Sequence, residues 1–142
     1  MRLFALLLLA AVVGCRETSG ALTPAQRERL AAEGIRREAQ DLVFRYTEAP
    51  GRRRSRWEDR LASIVVTGRS VLVHKNEKVG VEITPASRRY YAVERDGDRV
   101  RIRAGTGRSE ELWSFVPPDD PAGWVSDIRA VIRGSQSEAN RR

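Results

Sequence analysis

Asp96-Gly97 lies between two alternating runs, Tyr90 to Arg95 and Arg99 to Ala104, and this constrains the fold more than any other feature of the chain. Glycine reaches the positive φ that two-residue hairpin loops need, so Asp-Gly between alternating runs predicts a tight antiparallel hairpin. Centring the pairing on Asp96-Gly97 sets Val93 opposite Val100 and Tyr91 opposite Ile102. It sets Glu94 opposite Arg99 and Tyr90 opposite Arg103. The apolar pairs share one face and the charged pair takes the other. A slip of one residue would turn every side chain over, so the pattern resists it. A hairpin of this kind has one apolar face that the rest of the chain must cover.

The other segments read as more short strands and two helices. Thr23-Pro24 has the form of a helix start, with Thr as N-cap and Pro at the first helical position. A charged helix is expected over 23–40, with a ragged apolar stripe of Leu30, Ala31, Ile35 and Ala39 running on to Leu42. Gly34 would cost about 1 kcal/mol inside it. From Asp41 the pattern changes to strands: Leu42 to Ala49, Trp57 to Thr67, Ser70 to Lys75 and Val79 to Thr84. The hairpin supplies two more, and Leu112 to Val116 is a seventh, stopped by Pro117-Pro118. Asp119-Asp120-Pro121 then opens a helix, its carboxylates at the positive end of the dipole. Trp124, Ile128, Val131 and Ile132 fall on one helical face, flanked by Val125. Gly134 is the expected C-cap, and 135–142 a disordered tail.

Seven short antiparallel strands followed by one amphipathic helix give an α+β chain, mainly β. The stretch from Trp113 through Pro117-Pro118-Asp119-Asp120-Pro121 to Trp124 and Ile132 resembles the pleckstrin-homology superfold: a last strand, a short turn, then a helix with an inward tryptophan near its start. Trp57 at the opening of the second strand fits the same pattern. The resemblance spans 41–134 and implies a bent seven-stranded antiparallel barrel capped by the C-terminal helix. A lipocalin-like barrel needs about eight longer strands around a cavity, and this chain is short for it.

The N-terminus reads as an address. Arg2 precedes an unbroken apolar run from Leu3 to Val13, followed by Gly14 and Cys15, the sole cysteine. The run is too short for a membrane-spanning helix, which needs about 20 apolar residues, and suits a signal-peptide core. Val12-Val13-Gly14-Cys15 resembles a bacterial lipobox. The resemblance implies a signal peptide at 1–14, cleavage before Cys15, a diacylglyceryl thioether on its sulfur and acylation of the new amine, for instance by palmitate. Residues 15–22 then form a lipidated tether, and the mature chain keeps no free thiol, which suits an oxidising compartment. Arg16 stands where an Asp would signal inner-membrane retention in the enterobacterial pattern, so the periplasmic face of the outer membrane is the expected location.

The chain carries a formal net charge of +7, with Lys75 and Lys78 as its only lysines. Such basicity suggests nucleic acid in a cytosolic protein. For an exported one, anionic envelope components, a protein partner and the membrane surface are the expected partners, and no nucleic acid is expected. No nucleophile elbow, calcium loop or metal-ligand spacing stands out, and no enzymatic activity, cofactor or metal is expected. His74, in SVLVHK, is expected to be structural and to lie on the face opposite Leu72. In many pleckstrin-homology domains basic residues in the loop between the first two strands cradle phosphate. Here that loop is Pro50-Gly51-Arg52-Arg53-Arg54-Ser55-Arg56, and Arg45 and Arg60 flank it. These six arginines (Arg45, Arg52, Arg53, Arg54, Arg56, Arg60) form the candidate anion-binding set, because a guanidinium fork matches phosphate and carboxylate oxygens. The family's basic spacing on the first two strands is not reproduced. Arg99, Arg101 and Arg103 make a second basic face, expected to be ordinary outward patterning with Glu94 paired to Arg99. The resulting expectation is a non-catalytic, lipid-anchored envelope protein that binds a protein or an anionic component. An accessory lipoprotein that takes peptides by strand addition is the alternative, and an envelope hydrolase a remote one.

Overall fold

Gly34 decides where the first helix stops. It adopts φ 78, the left-handed conformation that ends helices and that other residues resist. In this computed structural model, which describes residues 21–49, 56–75, 78–105 and 109–141 (the backbone alone at 48–49, 56–61 and 78), α1 therefore runs only over Pro24–Ala32. A capping box secures its start, Thr23 and Gln26 each bonding the other's backbone N–H. The expected helix over 23–40 is thus corrected, because Gly34 terminates the helix and Ile35 already belongs to strand β1 (Ile35–Ala49). The N-terminal half of β1 was hidden from a periodicity reading because its pairing with β2 shifts between Ala39 and Leu42, where Asp41 takes φ 54. The expected signal peptide, Cys15 and the tether up to residue 20 lie outside the described residues.

Six strands follow: β2 (Arg56–Thr67), β3 (Val71–Lys75), β4 (Lys78–Ile83), β5 (Tyr90–Asp96), β6 (Arg99–Gly105) and β7 (Glu110–Phe115), then helix α2 (Pro121–Ala139). The strands form one antiparallel sheet in the order β4-β3-β2-β1-β7-β6-β5. β1 is its hub, pairing with β2 along most of its length and with β7 from Arg45 to Ala49. The sheet curls into a half-barrel and α2 caps it, which is the pleckstrin-homology-like α+β architecture.

The hairpin forms with a register two residues away from the expected one. Val93 faces Ile102, Glu94 faces Arg101 and Asp96 faces Arg99. The loop is Gly97-Asp98, with Gly97 at φ 62. Glycine at the first loop position is what a type II′ turn demands. A two-residue shift leaves each side chain on its expected face, so alternation could not separate the two registers.

Trp124, Val125, Ile128, Val131 and Ile132 are all buried, so the apolar face of α2 closes the barrel as expected. Trp124, 1% exposed, meets Phe115 edge-on at 5.7 Å between ring centroids, and Phe115 stacks on Phe44 at 4.8 Å. The helix does not stop at Gly134. Ser135 is buried with its Oγ donating to Ile132 O, and Gln136 reaches β5, so the expected disordered tail is helical up to Ala139. Docking on β5 outweighs the roughly 1 kcal/mol that an interior glycine costs.

Val71 and Val73 point into the barrel, whereas Leu72 joins Val65 and Leu30 in a separate cluster beneath α1. His74 is buried and, two residues along the strand, shares the face of Leu72 rather than opposing it.

Candidate binding surface

The strand directions define two ends of the half-barrel. One holds the β2–β3 turn at Gly68-Arg69, the β5–β6 turn and the start of α2. At the other, β1 ends at Ala49, β2 begins at Arg56, β3 ends at Lys75, β4 begins at Lys78, β6 ends at Gly105 and β7 begins at Glu110. β1 ends and β2 begins at this second, open end, on either side of residues 50–55.

Of the six expected anion-binding arginines, Arg52, Arg53 and Arg54 lie outside the described residues. Arg56 and Arg60 are placed by backbone alone. Arg56 faces Thr47, and Arg60 falls in the irregular step between the Leu42/Ala62 and Phe44/Asp59 pairs. Arg45 stands between inward-facing Phe44 and Tyr46, half-buried, with Glu58 as its neighbour on β2 and Ser114 on β7. Register therefore places Arg56 and Arg60 each two residues from Glu58, the residue opposite Arg45, one on either side of it. The second basic face is neutralised differently from expectation. Glu94 takes Arg103 Nη2 at 3.2 Å and Arg101 at 3.9 Å, Asp96 pairs with Arg101, and Arg103 Nε lies 3.8 Å from Glu110. Arg99 is not the partner of Glu94, which follows from the two-residue register shift.

Inside the open end is a cluster that sequence reasoning missed. Glu111 Oε2 accepts from Arg89 Nη1 at 3.2 Å and from Trp113 Nε1 at 3.4 Å. That hydrogen bond holds the Arg89 guanidinium above its ordinary value against the opposing effect of burial. Trp113 lies beside Tyr46, with ring centroids 4.8 Å apart, and its far edge meets the backbone of Gly80 on β4. Arg89 and Glu111 are 22 residues apart and come from a turn and a strand start. Only the curl of the sheet brings them together.

At the other end Arg37 of β1 clamps α2. Its Nε donates to Asp127 Oδ2 at 2.5 Å, its Nη2 lies 3.4 Å from Asp120, and its guanidinium carbon sits 5.7 Å from the Trp124 ring centre. The bond to Asp127 raises the Arg37 pKa from its ordinary value, with burial opposing. Asp119 and Asp120 do act at the helix start: Asp120 accepts from Gly123 N and Asp119 from Trp124 Nε1. They also lie within ion-pair range of Arg37, which no local pattern announced.

Both edge strands carry occupied carbonyls. A two-residue loop closes on a hydrogen-bonded pair, and bonding alternates along an antiparallel ladder, so Tyr91 and Val93 turn their carbonyls away from β6. Gln136 Nε2 donates to Tyr91 O at 3.4 Å and Arg129 Nη2 to Val93 O at 3.3 Å. On β4, Glu82 O accepts from Tyr91 Oη and from Ser87 Oγ. Among the described residues no group of three His, Cys, Asp or Glu could hold a metal, and no helix is long and apolar enough to cross a membrane.

No family model matches the chain, and no curated protein matches it. Among solved structures it is similar to a chain described as Vav1 inhibited by an allosteric inhibitor, with a TM-score of 0.43 and 14% identity. The match covers 72% of this chain and 28% of that one. The pleckstrin-homology-like description rests on strand order and the capping helix, not on this likeness.

Proposed function

We propose that the protein is a non-catalytic, lipid-anchored envelope protein whose pleckstrin-homology-like domain binds an anionic envelope component through the open end of its half-barrel. What supports this reading is the division of the surface. The edge carbonyls of β5 are covered by α2, which leaves strand addition little purchase there. The opposite end is where the segment holding Arg52, Arg53 and Arg54 joins β1 to β2, beside Arg45 and Arg56. Guanidinium groups grouped at one end favour phosphate or carboxylate oxygens, and a bilayer bearing such groups multiplies the contacts. Lipidation at Cys15 would hold the domain at that surface, since two or three acyl chains at about 0.8 kcal/mol per buried methylene give stable anchoring. The proposed location is the periplasmic face of the outer membrane.

Vesicle flotation of the unlipidated protein tests the binding. Anionic vesicles should carry the protein up and neutral vesicles should not, with capture weakening as salt rises. Arg52/Arg53/Arg54→Ala should abolish most of the capture. Salt-insensitive flotation that survives the triple substitution would count against the reading. Mass spectrometry of the natural product tests the anchor separately: a bare thiol at Cys15 with residues 1–14 still attached would remove it.

A further inference from the structure

We propose that α1 is a strut that turns the open end of the half-barrel, where β3 ends at Lys75 and β4 begins at Lys78, toward the bilayer holding Cys15. This rests on the lipid-anchor reading above. The inference comes from how α1 lies on the sheet. Glu38, Val65, Leu72 and Glu82 form one row across β1, β2, β3 and β4. Leu30, fully buried, beds on Val65 and Leu72 in the middle of that row. Arg27 reaches Glu38 at 3.4 Å on one side and Arg29 reaches Glu82 at 2.8 Å on the other. A helix straddled in this way runs along the strands rather than across them.

Its direction is set at its C-terminus. Glu33 accepts from Thr67 Oγ1 at 2.8 Å and from Ser70 Oγ, the two residues that flank the β2–β3 turn, and Gly68 N donates to Gly34 O. The C-terminal end of α1 is thus pinned at that turn. The nine residues of α1 span about 14 Å, much the same as the distance along β2 from Thr67 back to Ser63. The helix start therefore lies over the row of Ser63 and His74, next to Lys75. Leu22 packs on the Leu30 cluster, just before the start of α1. Six residues separate it from Cys15, and the seven steps between them reach at most about 25 Å at full extension. A lipid at Cys15 then draws the open end down and leaves the β2–β3 and β5–β6 turns on the far side.

Cys15 is the sole cysteine, so the full chain can be coupled there to a maleimide lipid in nanodiscs whether or not the cell lipidates it. With a gadolinium chelate on the lipid headgroups, the amide signals of Lys75, Lys78 and Val79 should lose intensity. Those of Gly68, Arg69, Gly97 and Asp98 should keep it. Arg27→Glu/Arg29→Glu/Leu30→Asp, which reverses both ion pairs and puts a charge where α1 beds on Val65 and Leu72, a cluster separate from the barrel core, should undock α1 and spread the loss over both ends while the barrel-core signals stay in place. Equal loss at both ends in the unaltered protein would overturn the strut, as would an unchanged pattern in the triple variant. The natural lipidation of Cys15 is read by mass spectrometry alone, so a failed anchor and a failed strut give different results.

Discussion

Gly80 and Tyr91 show how single residues close the curl of the sheet. A Cβ on Gly80 would come within 2.9 Å of Trp113 Cη2. Trp113 is itself wedged against Tyr46, so it has little room to yield. Gly80→Ala should destabilise the fold by about 1–3 kcal/mol, measured by urea denaturation. Tyr91 reaches across from β5 to β4, and burial pushes its phenol above the ordinary value of 10.0, the largest of several effects. Below pH 10 the phenol is neutral in both folded and unfolded chains. As pH rises past 10 the unfolded chain loses its proton first, so stability falls until the folded phenol ionises too. Tyr91→Phe should flatten that alkaline decline in thermal melts taken between pH 9 and 11, at the expense of the bond to Glu82 O.

At the scale of elements, the decisive contact is α2 against the edge of β5. The apolar face of α2 was legible in the sequence, because Trp124, Ile128, Val131 and Ile132 recur at helical spacing. Its polar contacts were not, because Arg129 and Gln136 look like solvated positions until β5 is placed beside them. Each donates to a β5 carbonyl, and each such bond contributes about 1 kcal/mol, more for the charged donor. Arg129→Ala/Gln136→Ala should lower stability by about 2 kcal/mol. It should also leave an open edge that pairs with other chains, seen as concentration-dependent association in sedimentation velocity. A double variant that stays monomeric would show that these side chains do not guard the edge.

At the scale of the molecule, β1 joins the two halves of one sheet and α2 closes the curl over the core. Phe44 stacks on Phe115, which Trp124 meets edge-on, so the core runs unbroken from strand to helix. Trp124→Ala should therefore cost about 3–5 kcal/mol and remove the near-ultraviolet dichroism of the packed aromatics while most strand signal persists. The proposed binding surface belongs to this scale as well. The arginine run was visible in the sequence, but that β1 ends and β2 begins at the end opposite the start of α2 depends on how the seven strands are ordered.

The sequence by itself determined seven strands and a capping helix, the inward tryptophan, and which face of the hairpin is apolar. Those features are written in local periodicity and turn chemistry, which act over a few residues. The early end of α1 and the hairpin loop are local as well, turning on Gly34 and Gly97 at positive φ, whereas tertiary structure decided the continuation of α2 past Gly134 and the meetings of Arg37 with Asp127 and of Arg89 with Glu111. Each of the latter depends on groups distant in the chain whose encounter yields energy only once the sheet has curled, and no short-range pattern can encode that curl.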